Sequence, residues 1–316
     1  MKNLRVAFFG NPDPSVTVVS ALHKAEYSIA CVVTKPPRPV GRSQTLTSTP
    51  ISNWATSNSI PIIEASTGEK PWQFADESLL IKQVISHSPD ILVVADFTLK
   101  IPQELVTATR FGGLNIHPSL LPAFAGPSPV AYALLNGLTH SGVSIITLSN
   151  QLDQGSLIAQ DMETILSNDT TPTLTQRLFT NGAQLLIKVL PHFIAGTNAL
   201  VQTHTQPSYA PRLTRQDGFV PWEEIHKAMT VHTSLAITIE RKTRAFTPWP
   251  GVWTEVEMEN GNEKIRSKKR LKILKCHIAN INIQSRAMLL LDQIQLEGKN
   301  PVTGSAAKRL LEQLMQ

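Results

Sequence analysis

The chain has 316 residues, of which 41% are hydrophobic and 17% charged, and its formal net charge is +5. That length suits about two domains of ordinary size, and the composition excludes a disordered or collagen-like chain. No apolar run approaches the ~20 residues of a membrane-spanning helix. Met1–Gly10 leads directly into a strand-like run with no signal or transit pattern, so the cytoplasm is the expected location. Cys31 and Cys276 are too few and too distant for a disulfide framework or a Cys-rich zinc site, and no metal is expected.

In chain order, Leu4–Phe9, Ile29–Val33 and Ile91–Ala95 are short runs rich in Val and Ile, as in strands buried on both faces of a parallel sheet. Ser15–Lys24, Pro50–Asn58 and Ser78–Ser86 between them have helical patterns, and Gly113–Ile116 and Gly142–Leu148 read as further strands. The alternation predicts a Rossmann-like, mostly parallel α/β sheet over residues 1–194. Thr173–Ile194 has helical apolar spacing, weakened by Gly182 and Pro191. Residues 195–207 are polar and read as a linker. Residues 208–316 follow with a helix at Ile225–Arg241, strands at Trp253–Met258, Leu271–Ile278 and Ala287–Leu296, and a closing helix at Gly304–Leu314. This pattern predicts a smaller, mostly β domain, such as a barrel.

The charge is unevenly placed. Lys and Arg number 12 against 13 Asp and Glu in residues 1–203, but 17 against 11 in residues 204–316. The densest basic run includes Lys264, Arg266, Lys268, Lys269, Arg270, Lys272 and Lys275. Such a run reads either as a solvated face or as a patch for a polyanion.

Gly10-Asn-Pro-Asp-Pro follows the first strand where a dinucleotide site needs GxGxxG. P-loop, HExxH and GxSxG patterns are also missing. What stands out is Asn115-Ile-His117-Pro-Ser119-Leu-Leu-Pro122 at the end of a strand, with Leu152-Asp153-Gln154-Gly155 after the next one. Asn115 and His117, two residues apart, share one side of an extended chain. An amide, an imidazole and a carboxylate could converge at adjacent strand ends. A satisfied His beside a turn and an ordinary loop Asp would give the same pattern.

Asn115-x-His117 with Ser119–Pro122 and Leu152-Asp153-x-Gly155 resembles the formyltransferases that use 10-formyltetrahydrofolate. Phe9-Gly-Asn-Pro-Asp13 is similar to the family's first loop, and Val93-Val-Ala95 with Ile101-Pro102 to its folate-side loop. Thr34-Lys-Pro-Pro-Arg-Pro-Val-Gly41-Arg42, Thr49-Pro50, Tyr209-Ala210, Trp222, Arg244-Ala-Phe-Thr-Pro-Trp-Pro-Gly-Val-Trp253 and Gly298-Lys299 resemble the methionyl-tRNA branch. The resemblance spans nearly the whole chain. It implies a Rossmann-like formyltransferase domain followed by an OB-like barrel. It also implies catalytic Asn115, His117 and Asp153, with Ser119, Leu120, Leu121 and Pro122 along the folate.

The implied reaction is attack of the methionyl-tRNA amine on the formyl carbon of 10-formyltetrahydrofolate. Asn115 and a protonated His117 would stabilise the oxyanion, and Asp153 would hold His117 in its charged form and help remove the amine proton. Arg38 and Arg42 in the PxRPxGR loop, and Lys268, Lys269 and Arg270 in the basic run, are the expected tRNA contacts. A monomer is expected. The sequence departs from the family pattern at Asn11, Ser43-Gln44-Thr45, Asp96-Phe97-Thr98, Pro118, Ala123-Phe-Ala125 and Gln154. Pro118 gives NIHPSLLP, as in glycinamide ribonucleotide formyltransferases. A relative acting on a sugar-nucleotide or ribonucleotide amine is therefore the alternative enzyme, and a binding protein that kept the fold without turnover is a third reading.

Overall fold

The computed structural model describes residues 4–41, 43–197, 207–230, 232–260, 265–281 and 286–314. It divides into two compact units. The first comprises Met1–Pro129, His140–Thr164 and Thr175–Ala210; the second comprises Val130–Thr139, Ile165–Leu174 and Pro211–Gln316. Most of the expected linker, residues 198–206, lies outside the described residues.

Among the described residues, the first unit holds a seven-stranded sheet. Its strands are β1 (Arg5–Phe9), β2 (Ser28–Thr34), β5 (Ile62–Glu64), β6 (Ile91–Ala95), β7 (Gly113–His117), β8 (His140–Thr147) and β9 (Leu157–Thr164), ordered β5-β2-β1-β6-β7-β8-β9. The pairs from β5 to β7 are parallel, whereas β8 runs antiparallel to β7, and β9 to β8. β3 (Arg38–Val40), within the PxRPxGR motif, and β4 (Thr45–Thr47), just beyond it, form a separate exposed hairpin.

The pleat sorts the central apolar runs into two cores. Val6, Phe8, Val32, Ile91 and Val93 face one side, with Val18, Val19 and Leu22 of α1 (Asp13–Lys24) and Ile51 and Ala55 of α2 (Pro50–Ser57). Phe179, Ala183, Leu186 and Leu190 of α6 (Thr171–Ile194) complete that side. Ala7, Phe9, Cys31, Val33, Leu92 and Val94 face the other side, with Leu80 and Val84 of α3 (Glu77–Ser86) and Leu105 and Val106 of α4 (Gln103–Ala108). Local signals set the helix starts. Thr49 caps α2, accepting from the Ser52 N–H at 3.1 Å with Pro50 in the first turn, and Asp76 caps α3, accepting from Leu79 at 2.8 Å.

Gly182 does not break α6. A Cβ there would fall 2.8 Å from Ile116 and 2.9 Å from Val143, so the glycine is what lets the helix lie against the sheet.

The second unit contains α5 (Pro129–Leu135) for most of its length, α7 (Trp222–Thr230), α8 (Thr233–Ala245), α9 (Gly304–Leu314) and an antiparallel sheet. Among the described residues that sheet has four strands in the order β10 (Val252–Asn260), β11 (Ile265–Ile281), β12 (Arg286–Leu296) and β13 (Val302–Thr303). Its core joins Val256, Leu271, Ile294 and Leu296 to Ala307 and Leu311 of α9. The single helix expected over Ile225–Arg241 is instead α7 followed by α8. Thr230 ends α7 and Thr233 opens α8, and both are weak helix formers.

Both cysteines are free. Burial pushes each thiol up to about 12; in Cys276 the Thr243 hydroxyl, a partner at 3.3 Å, acts in the opposite sense. No helix among the described residues is long and apolar enough to cross a membrane.

Candidate active site

The site is built on the carboxyl half of β7. Asn115 and His117 alternate with buried Ile116, and the loop between β8 and β9 carries Asp153 to them. The Asn115 amide donates to Asp153 Oδ1 at 3.4 Å, and His117 Nδ1 lies 3.5 Å from the same oxygen. His117 and Asp153 are 5% and 8% exposed, so the pair is shielded from bulk water.

The route by which Asp153 arrives differs from the sequence-based expectation. β8 is antiparallel to β7, with Thr147 opposite Leu114 and Ser144 opposite His117. The carboxyl end of β8 therefore lies beside the beginning of β7, and the three groups do not meet at matching strand ends. The loop returns instead. Asp153 takes φ +56°, and a Cβ on Gly155 would fall 1.7 Å from the Thr147 carbonyl oxygen. That backbone approach is why the Leu-Asp-x-Gly pattern ends in glycine.

Backbone groups that no side-chain motif announces complete the cluster. His117 Nε2 donates to the Phe124 carbonyl at 3.0 Å, and the Gly126 N–H donates to Asp153 Oδ2 at 2.8 Å. Both ring nitrogens of His117 thus face acceptor oxygens, an arrangement that the doubly protonated ring satisfies on both sides.

Behind the site, the Ser144 hydroxyl donates to the Ser119 carbonyl at 2.6 Å and accepts from the Leu121 N–H at 3.0 Å. Gln160 Nε2 donates to both the Leu121 carbonyl and Ser144 Oγ at 2.8 Å. Ser144 and Gln160 escaped the sequence reading because single polar residues in β8 and β9 carry no motif.

Of the expected folate-side residues, Ser119 and Leu121 are buried, and Ser119 Oγ donates to the Ala123 carbonyl at 2.7 Å. Leu120 and Pro122 are half-buried. The neighbouring strand end, after β6, carries Asp96 at φ +49°. Crowding around the carboxyl pushes it up to about 6, although the residue as a whole is exposed. Asn11, one of the sequence departures, fixes the first loop: its Oδ1 accepts from the Lys35 N–H at 3.0 Å and the Thr34 hydroxyl at 3.2 Å.

The expected tRNA contacts fall apart into different environments. Arg38 is exposed at the start of β3, and Arg42 lies outside the described residues. In the register of β10 and β11, Lys268 stands opposite Glu257, and Arg270 opposite Glu255. Lys269 stands opposite buried Val256 and so shares the core-facing side of the sheet. The Arg270 guanidinium lies 4.8 Å from the Trp253 ring centroid.

The chain matches the family model for formyl transferase over residues 4–190, and the model for the formyl transferase C-terminal domain over residues 212–287. The methionyl-tRNA formyltransferase of Dehalococcoides mccartyi (strain CBDB1) is 33% identical over 317 residues, covering 95% of this chain and 93% of that one. This chain belongs to the methionyl-tRNA formyltransferase family. Its fold is shared with more distant proteins. The sugar 3N-formyltransferase WlaRD, solved in the presence of dTDP and 5-N-formyl-THF, aligns with a TM-score of 0.58 at 18% identity, covering 94% of this chain and 99% of that one. HypX from Aquifex aeolicus, solved with tetrahydrofolic acid, aligns with a TM-score of 0.63 at 15% identity, covering 99% of this chain and 48% of that one. Family membership accounts for the two matched regions together.

Proposed function

We propose that the chain transfers the formyl group of 10-formyltetrahydrofolate to the free amino group of initiator methionyl-tRNA, giving N-formylmethionyl-tRNA for translation initiation. The observation that carries this reading is the convergence of Asn115 and His117 on one oxygen of Asp153, at 3.4 and 3.5 Å, in a chain that matches both domains of the family.

In the reaction the amine nitrogen attacks the formyl carbon, and a C–N bond forms as the formyl oxygen becomes an oxyanion. Among the described residues the Asn115 amide makes one long side-chain hydrogen bond, to Asp153, which leaves it free to donate to the oxyanion. His117 exchanges the Phe124 carbonyl for the same oxygen. A charged acceptor forms roughly twice as strong a hydrogen bond as a neutral carbonyl, which favours the exchange. Asp153 keeps His117 cationic and draws the proton from the attacking nitrogen through a water. Collapse of the intermediate restores the formyl C=O and breaks the bond to the folate nitrogen, which leaves with the proton returned from Asp153 through the same water. Removal of one oxyanion donor typically costs about 10²–10³ in rate.

The folate lies along the Ser119–Pro122 turn. Because the polar groups of Ser119 and Leu121 are satisfied internally, that turn serves as a fixed wall more than as a set of side-chain donors. The two functional regions are residues 1–194 and 208–316, joined by 195–207, with 130–139 and 165–174 clustering with the second compact unit. Arg38, Arg42, Lys268 and Arg270 contact the tRNA, Lys269 being turned to the core-facing side of its sheet, and the enzyme acts as a cytoplasmic monomer.

The test is a transfer assay with 10-formyltetrahydrofolate. Initiator methionyl-tRNA competes against elongator methionyl-tRNA, a nucleotide-linked amino sugar and glycinamide ribonucleotide. Formylation of the initiator alone supports the reading. Transfer only to a small amine overturns the tRNA assignment while keeping the catalytic group, and binding without any transfer overturns both.

A further inference from the structure

The backbone loop that holds His117 and Asp153 is itself held by a distant piece of chain. Ser208, Tyr209 and Ala210 lie alongside residues 122–128 and make a dense set of contacts with them. The Ser208 hydroxyl accepts from the Phe124 N–H at 2.8 Å. The Ser208 carbonyl accepts from Ala125 at 2.9 Å, and the Ala125 carbonyl accepts from Ala210 at 2.7 Å. Ser208 N–H donates to Pro122 and Ser128 N–H to Ala210, both at 3.3 Å. Gly126, at φ +113°, turns its bare face to this segment: a Cβ there would fall 2.6 Å from the Tyr209 ring and 2.8 Å from the Ala210 carbonyl oxygen.

The gripped residues are the same ones that touch the catalytic side chains. Phe124, held at its N–H, takes φ +56° and presents its carbonyl to His117. Gly126, held by van der Waals contact, presents its N–H to Asp153. Besides this grip, turns within residues 119–123 and the Ser144 and Gln160 hydrogen bonds to Ser119 and Leu121 restrain the part of the loop that precedes Phe124.

We infer that Ser208–Ala210 is a positioning latch for catalysis: it fixes the Phe124 carbonyl and the Gly126 N–H, and through them the orientation of His117 and Asp153. Ser208 contributes the side chain that makes the latch separable by mutation. The inference rests on the catalytic reading of His117 and Asp153 given above.

The test uses the full-length chain with S208A and S208T, measuring kcat, KM for both substrates, the pH profile of kcat and the thermal midpoint. D153N is measured beside them. Ser208 is exposed, so S208A is expected to fold with an unchanged midpoint. Loss of one neutral hydrogen bond in a positioning role is expected to lower kcat about three- to tenfold. Both KM values should stay near wild type, and the pH limb of kcat should move by about half a unit. S208T, which keeps the hydroxyl, should restore both. A wild-type kcat in S208A beside a crippled D153N overturns the latch alone. A change confined to the tRNA KM, with the pH profile unmoved, also overturns it and makes Ser208 an RNA contact. A fully active D153N overturns the catalytic reading and the latch together.

Discussion

Gly126 donates its backbone N–H to Asp153 Oδ2 at 2.8 Å, across 27 residues of sequence. The other carboxylate oxygen is left to face Asn115 and His117. One neutral amide therefore aims a carboxylate without neutralising it, and the charge of Asp153 is directed at the imidazole.

Replacing Asp153 with Asn keeps the shape but removes the charge that supports His117. D153N is expected to lower kcat by about 10²–10⁴ while leaving tRNA affinity and thermal midpoint near wild type. Asn115→Ala should lower kcat by about 10²–10³ with little change in either KM. Steady-state kinetics and a filter-binding titration check both. Loss of tRNA affinity in parallel with turnover would make Asp153 structural.

Gly155→Ala tests the return of the Asp153 loop. The added Cβ falls on the Thr147 carbonyl oxygen, a backbone atom that cannot move away alone. The variant should be destabilised by more than about 3 kcal/mol in chemical denaturation and should lose turnover even where it remains folded.

Arg244 donates to both carboxylate oxygens of Glu240 and, at 3.1 Å, to the Asp169 carbonyl. The paired side chains are 18% and 13% exposed. Arg244→Met leaves the Glu240 charge poorly solvated and should destabilise the chain by about 2–4 kcal/mol. Adding Glu240→Gln should recover much of that loss, and equilibrium unfolding of the single and double variants reads the difference.

Asp217 is held below its ordinary value of 3.8, chiefly by hydrogen bonds from the Thr214 hydroxyl and N–H, with the Lys242 charge adding to them. A carboxyl depressed in the folded state stabilises it fully above the unfolded pKa, and that contribution disappears as the pH falls through the folded value. Asp217→Asn should therefore melt earlier than wild type at pH 7, and the difference should close as the pH falls below about 4. A gap that persists unchanged into acid would show that the side chain acts by shape alone.

In the register of β10 and β11, Lys268 stands opposite Glu257 and Arg270 opposite Glu255, so acidic residues lie beside part of the basic run. Glu257→Gln should tighten RNA binding about two- to fivefold at low salt and steepen its salt dependence. Unchanged affinity at every salt concentration would place the RNA away from this face of the sheet.

How much was legible follows from where the information resides. β1, β2 and β6 carry continuous apolar runs because both faces of the sheet are covered, and such runs announce themselves. β9 has a mostly exposed pattern with Asp161 and Glu163 among its residues, β5 has three residues, and α4 has six; none sustains a periodic signal. Asn115, His117 and Asp153 were legible as side chains with chemistry. The Phe124 carbonyl and the Gly126 N–H were not, since every residue except proline carries the same backbone groups. Gly126 itself was the only hint, as a residue type that tolerates φ +113° and a close ring.

The two masked thiols make the chain its own stopwatch. Cys31, buried, belongs to the first unit and Cys276, half-buried, to the second, and burial disfavours the reactive thiolate at both. A thiol reagent added during mild denaturation should label each faster as its surroundings open. Mass analysis of the labelled peptides would then time the loosening of the catalytic sheet and of the smaller unit separately, in one experiment and without an introduced probe.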